Sequence, residues 1–214
     1  MKRVIILGAG GHAKVVAEIL RLSGKHEIAG FLDSALIGKK IGGFSVLGGD
    51  DLLPRLRADG VMLAFIGVGG TGNNAPRMKI FERVAAMGFA FVNAIHPAAV
   101  LSDSVKLGQG IAVMACAVIN PGAEIGDNVI ISTGAIVEHD CKIEAHVHVS
   151  PGAVLCGGVR VGTAAHIGAG AVIRQSINIA ESAIVGAGAV VVKNVVAHSV
   201  VAGVPARIMR EVGK

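Results

Sequence analysis

The chain has 214 residues, 52% of them apolar and 16% charged, which is ample for a packed core of one or two domains and too apolar for disorder. Its 31 glycines are about twice the usual share, yet they keep no every-third-residue register and only 6 prolines accompany them, so a collagen-like chain is excluded. The net charge of +5 is scattered and aromatic residues make up 3%, so there is neither a basic block nor a set of stacking platforms for nucleic-acid bases.

The first apolar run, Val4-Ile5-Ile6-Leu7, follows Lys2 and Arg3 but stops at Gly8 and is soon followed by Lys14, so it reads as a buried strand and not as a leader peptide. Gly8-Ala9-Gly10-Gly11-His12-Ala13 is a G-x-G-x-x-A turn, and it opens a helix with Val15, Val16, Ile19 and Leu20 on one side. Such a turn brings backbone N–H groups and a helix N-terminus close to a phosphate. A second strand, Ile28 to Leu32, ends in Asp33, about where a βαβ unit places a ribose-binding carboxylate. His12 reads either as a ligand contact or as a helix-terminus residue without one.

A third strand, Val61 to Ile66, leads into Gly67-Val68-Gly69-Gly70-Thr71-Gly72-Asn73-Asn74, a loop suited to phosphate or sugar. A helix from Pro76 to Met87 and a short strand from Phe89 to Asn93 close the unit near Ala94. This is roughly half of the six-strand dinucleotide fold, so residues 1–94 are expected to hold one nucleotide.

From Ile95 the chain changes period. Every sixth residue from Ile95 to Val191 is Ile, Leu or Val, and the residue four later, from Ala99 to Val195, is never polar. Six fits neither a helix, with period 3.6, nor a simple strand, with period 2; it marks a β-helix of stacked hexapeptide coils. At three hexads per coil the run makes about five to six coils. Glycine recurs at the second hexad position, as in Gly108, Gly126, Gly162, Gly168 and Gly186, where a tight turn is expected to need freedom in φ. Residues 95–214 are therefore expected to form a solenoid with a short tail.

Cys116, Cys141 and Cys156 show no CxxC spacing, which argues against a disulfide framework or a zinc knuckle and fits the reducing cytoplasm. Cys141 falls in the small-residue core column and reads as inert packing. Long uncharged stretches such as Leu107 to Ala123 contain Gly, Asn and Pro, so no membrane span is expected.

The glycine-rich start, the unbroken hexads, Val137-Glu138-His139-Asp140-Cys141, His148-Val149-Ser150-Pro151-Gly152 and the closing Val201-Ala202-Gly203-Val204-Pro205-Ala206-Arg207 together carry a family likeness. Over nearly its whole length the chain resembles bacterial nucleotide-sugar N-acetyltransferases of the bacillosamine and perosamine type, with their sialic acid O-acetyltransferase-like relatives. The resemblance implies an α/β plus β architecture, in which a Rossmann-like βαβ domain precedes a left-handed parallel β-helix. It also implies a homotrimer, acetyl-CoA as co-substrate in a groove between neighbouring prisms, no metal, and a nucleotide sugar of surface glycan synthesis on the N-terminal domain.

By the same resemblance His139 is the general base and Asp140 orients it, while His148 approaches the acetyl thioester. Gly157, Ala169 and Ala187 line the acetyl and pantetheine path, and Val204, Pro205 and Arg207 meet the far end of CoA; a solvated charged tail is the alternative for Arg207 and Arg210. The nucleotide is expected at Gly10, Gly11, His12, Asp33 and the loop at Gly67. Ser132 stands where the bacillosamine enzyme has an amide near the sugar, which leaves the sugar and the choice of UDP or GDP open.

Hexad counting adds two expectations. His139 occupies the third position, outside both core columns, so its ring should face outward; Asp140 reads either as its partner or as an ordinary turn residue. His148 and His166 share the sixth position one coil apart and should stack. Zinc held by His139, His146, His148 and His166, after the manner of hexapeptide prisms of the carbonic anhydrase kind, is the weaker alternative, because the number of histidines suffices but their spacing is not the one expected of that family. O-acetylation of sialic acid or a related sugar and a non-catalytic nucleotide-binding module remain the competing functions.

Overall fold

The structure is a computed structural model that describes residues 1–70 and 72–211. Thr71, inside the expected phosphate or sugar loop, and the last three residues of the expected tail lie outside the described residues.

The N-terminal unit is built from β1 (Lys2–Leu7), α1 (Gly11–Ser23), β2 (His26–Leu32), β3 (Lys40–Ile41), β4 (Phe44–Gly48), α2 (Leu53–Ala58), β5 (Leu63–Ile66), α3 (Ala75–Ala86) and β6 (Ala90–Phe91). One sheet runs β3-β4-β2-β1-β5-β6, parallel except for the β3–β4 hairpin. Val4, Ile5, Ile6 and Leu7 are fully buried because helices and the prism cover both faces of the sheet. α1 turns Ala13, Val16, Ala17, Ile19 and Leu20 to this core and ends at Gly24 in the left-handed conformation, φ 62°. Val15, expected on the core side, is exposed.

The chain order reverses at β1: β2 lies on one side of it and β5 on the other. In open parallel sheets a ligand crevice forms outside the carboxyl ends of the strands at this point. Both glycine-rich loops leave from there.

The second unit begins at Ala94–Ile95. Among the described residues, seventeen two-residue strands follow one another at intervals of six, ending at Val190–Val191. Partners lie eighteen residues apart, as in Ile130 with His148 and His148 with His166, so three strands make one coil. The three resulting sheets are the faces of a prism. The first face carries strands 94–95, 112–113, 130–131, 148–149, 166–167 and 184–185; the second starts at 100–101 and the third at 106–107.

Both aliphatic columns point inward and are buried from Ile111 to Val191. In the first coil, Ile95, Ala99, Leu101, Val105 and Leu107 are only partly buried, because no coil lies beneath them. Asn93 closes that open end, donating from Nδ2 to the Gly108 carbonyl at 2.9 Å and accepting the Ile111 N–H at 3.0 Å. Beyond Val191 the spacing shortens: Val200 pairs with Ile184 and Val195 with Ile179, and strand 199–202 folds back antiparallel on strand 207–211.

The reason expected for the recurrent glycines is overturned. The left-handed corner is the fourth hexad position, occupied by Gly110, Cys116, Gly122, Asn128, Gly134, Asp140 and His146 and their successors, all with φ between 50° and 75°. At the second position a side chain would strike the next coil: a Cβ on Gly126 would lie 2.7 Å from the Ala145 nitrogen, and one on Gly168 2.5 Å from that of Ala187. Those glycines permit close stacking of coils, and non-glycine residues are tolerated at the strained corner.

The N-terminal unit sits on the first face and on the corner that precedes it. Ala94, Ala112 and Ile130 join its core, and Phe81 stacks on Phe91 at 4.0 Å and meets His146 edge-on.

Candidate active site

At the crevice, α1 starts without a side-chain cap and with no acid in its first turn, so its first N–H groups are available to an anion. Gly10 and Gly11 border open space. Gly67 is packed instead: a Cβ there would lie 2.7 Å from Ile6 and 2.8 Å from Ala13, so it serves the close approach of loop and helix. Asp33 accepts the Ala9 N–H on Oδ2 and the Ala35 N–H on Oδ1, each at 3.0 Å, so its carboxylate braces the glycine turn. Only its remaining lone pairs are left for a ribose.

The loop after β5 fastens this crevice to the prism. His148 Nδ1 lies 2.7 Å from the Gly70 carbonyl, and its Nε2 lies 3.0 Å from Ser132 Oγ. A carbonyl only accepts, so the hydrogen of neutral His148 is on Nδ1 and the Ser132 hydroxyl donates to Nε2. Both ring nitrogens of His148, the residue expected to approach the acetyl thioester, are thus engaged within the protein, and Ser132, expected beside the sugar, is 2% exposed. His166 stacks edge-to-face on His148 at 5.0 Å and lies 3.4 Å from Ser150, repeating the His–Ser pairing one coil on. Asn74 donates to the Ala164 and Ala165 carbonyls.

Arg77, on α3, has no counterpart in the sequence reading. It is 1% exposed, donates from Nη1 to the Ile66 and Val68 carbonyls at 2.5 and 2.8 Å, and reaches the Asn128 carbonyl from Nε at 3.4 Å. Burial lowers its pKa to about 9. Burial, then the nearby Arg77 and His148, push His12 down to about 3. Burial, with His166 next, lowers His148 to about 4 against the favourable Gly70 carbonyl.

A histidine whose folded pKa is depressed takes up a proton on unfolding whenever the pH is below its unfolded value. Stability is therefore expected to fall as the pH drops from about 6.5 towards 4, by ~1.4 kcal/mol per pH unit for each proton taken up. Urea melts at pH 7.5, 6 and 5 check this. A flat profile would contradict it, and His148→Asn should make the profile shallower.

His139 stands elsewhere, at the corner between the second and third faces, across the prism from the first face. Its side chain is 63% exposed, and Nδ1 lies 2.8 Å from Asp140 Oδ2. Asp140 is both residues it was read as: the left-handed corner residue, φ 59°, and the histidine's partner. This hydrogen bond raises the His139 pKa above its ordinary value against desolvation, and the charges of Asp140 and then Glu138 add to it. With Nδ1–H committed to the carboxylate, Nε2 is the atom that can take a proton. It lies 2.5 Å from the position a Cβ would have on Gly157, one coil above.

Ala169 and Ala187 are exposed on the corner between the first and second faces, not on that of His139 and Gly157. Val204 is 73% exposed, and Arg207 opens the exposed strand 207–211, where it lines a cavity of about 390 Å³ with Lys193 and Asn194 at the end of the prism. One chain thus gathers two separate groups of the expected residues: the crevice with His12, His148 and Ser132 on one side, and His139, Asp140 and Gly157 on the other. Among the described residues no three His, Cys, Asp or Glu side chains are grouped to hold a metal ion.

A nucleotide-type crevice joined to a hexapeptide prism with a corner histidine defines a class of acyl-transfer proteins, and comparison with known proteins narrows it. Residues 3–84 match the PglD N-terminal domain, and residues 140–175 match the bacterial transferase hexapeptide family of six repeats. The structure is similar to a histidine-to-asparagine mutant of perosamine N-acetyltransferase from Caulobacter crescentus in complex with CoA and GDP-perosamine, with 43% identity, a TM-score of 0.93, and 99% of this chain and 98% of that one covered. It is also similar to the acetyltransferase domain of PglB from Neisseria gonorrhoeae, with 41% identity, a TM-score of 0.92, and 98% and 100% covered. A curated relative, UDP-N-acetylbacillosamine N-acetyltransferase of Bacillus subtilis, is 36% identical over 118 residues, or 54% of this chain and 52% of the relative's length. The chain belongs to the family of hexapeptide-repeat N-acetyltransferases that carry a PglD-type N-terminal domain.

Proposed function

We propose that the protein transfers the acetyl group of acetyl-CoA to the 4-amino group of a UDP- or GDP-linked 4-amino-4,6-dideoxy sugar, for surface glycans made from cytoplasmic precursors. Residues 1–94 hold the nucleotide sugar at Gly10, Gly11, His12, Asp33 and the loop that Gly67 opens, and residues 95–214 carry out the transfer. The observation that carries the reading is the His139–Asp140 pair, exposed at a corner with Nε2 free to accept a proton.

The neutral amine attacks the thioester carbonyl while His139 Nε2 takes the ammonium proton, and Asp140 steadies the imidazolium that forms. The tetrahedral oxyanion is met by the Gly157 N–H. The C–S bond then breaks, and the proton on His139 goes to the departing CoA thiolate. Ala169, Ala187, Val204, Pro205 and Arg207 line the CoA path, and Ser132 acts through His148. Mass spectrometry tests the reading on the product of a nucleotide-linked amino sugar: gain of one acetyl group that resists hydroxylamine supports an amide. A hydroxylamine-labile ester would give the reaction to the O-acetyltransferases.

The crevice and the His139 corner are then two half-sites, which meet only if a second copy supplies one of them, and the prism has a face suited to that. On the second face the outward column is Val100, Val118, Ile136, Val154, Val172 and Val190, none of them buried. On the third it is Lys106, Glu124, Lys142, Arg160 and Asn178, with Glu124 between two lysines at 2.9 and 3.5 Å. An uninterrupted aliphatic stripe between the two half-sites is a surface to be covered, whereas the charged ladder suits water. The reading is a homotrimer in which the second face packs on a neighbour, bringing one copy's His139 to the next copy's crevice. Val154→Asp with Val172→Asp is expected to give monomers in analytical ultracentrifugation, with loss of activity. An active wild-type monomer would contradict the shared site.

A further inference from the structure

Arg77 is a buried cation without a carboxylate partner among the described residues, on the third residue of a helix whose other cations face water. Burial of an unpaired charge is costly, and a leucine or methionine would fill the space without that cost. Its partners are three backbone carbonyls, two in the strand and loop that reach the crevice and one, Asn128, at the prism corner where Nδ2 lies 2.9 Å from His146. The loop held at Val68 continues two residues on to Gly70, whose carbonyl fixes His148. Nη2 of Arg77 and Nε2 of His12 are both buried without a protein partner.

We infer that Arg77 is a positioning residue: it locks the Gly67–Gly70 loop to the prism and, through Gly70, holds His148 in its Nδ1–H form with Ser132 as donor to Nε2. The inference rests on the proposed function for its kinetic consequence, but not for its structural one. The groups facing His148 are the Gly70 carbonyl, Ser132, His166, His12 and Arg77. Arg77 adds to the forces that keep His12 and His148 uncharged, since its charge lowers both. Its loss therefore frees the loop and removes a repelling cation together.

The test is histidine NMR on the free protein, which needs no turnover. In wild type, His148 is expected to keep the Nδ1–H tautomer and to stay neutral at pH 5.5. In folded Arg77→Met the single tautomer should give way to a mixture, and the titration should move up as the repelling cation is removed. Arg77→Lys, which keeps the charge but has no second nitrogen to reach the Asn128 carbonyl while Nζ holds the loop, should retain the low titration while losing the single tautomer. In kinetics, Arg77→Met should raise KM for the nucleotide sugar about tenfold and leave that for acetyl-CoA nearly unchanged.

Unchanged tautomer and titration in folded Arg77→Met would overturn the inference and leave Arg77 a packing residue. If that variant does not fold, Arg77→Lys decides, and an unaltered tautomer there overturns it equally. Absence of turnover in wild type would count against the proposed reaction and leave the NMR result standing.

Discussion

Replacing His139 with alanine is expected to lower kcat by at least about a hundredfold while leaving the fold intact, because a positioned general base contributes ~10²–10⁴ in rate. The ring is mostly exposed and supports no core contact, so a melt should barely move. The pH profile gives a second reading of the same group. Asp140 raises the His139 pKa above its ordinary value, so the acid limb of kcat/KM should lie above pH 6.5. In Asp140→Asn the limb should move to lower pH as the plateau falls, since a weaker base is deprotonated sooner but accepts a proton less readily. An unchanged rate in His139→Ala would remove the base from the account.

Gly157→Ala is the sharper experiment on geometry. The added methyl would lie 2.5 Å from His139 Nε2 and 2.7 Å from Cε1, so one of them must give way. Gly157 has no positive φ, and the ring is at the solvent-exposed end of a side chain, so moving it costs little stability. Displacing a catalytic atom by about 1 Å can cost about a hundredfold in rate. The expected result is a ten- to hundredfold fall in kcat, short of the loss in His139→Ala, with a transition temperature within about 2 °C of wild type. Full activity would mean that Nε2 does its work from another position.

How much was readable without coordinates follows from how often each constraint is repeated. The prism was legible because one inward pattern recurs at every hexad, so chance similarity at a few positions does not matter. His139 was placed outward by counting, and the His148–His166 stack by the same count. Glycine chemistry was misassigned because two different demands, a left-handed corner and contact with the next coil, both favour small residues. Only the backbone separates them.

The junction was not legible. Arg77 falls in an amphipathic helix, where arginine ordinarily faces water, and its burial depends on carbonyls up to 51 residues away in sequence. The Gly70–His148 bond spans 78 residues and uses a backbone atom, which no residue pattern records. The hairpin of β3 and β4 and the short α2 were also missed, for their apolar positions are too few to show a period. That His139 and the crevice occupy opposite sides of one prism depends on which face the N-terminal unit covers, and the hexad pattern is the same on all three.

The most direct test of the account is thiol release from acetyl-CoA in the presence of UDP- or GDP-linked 4-amino-4,6-dideoxy sugars, with wild type beside His139→Ala. Turnover with one of the two nucleotides, lost at least about a hundredfold in the variant, is the predicted result. No release with either sugar from folded, assembled wild type would contradict it.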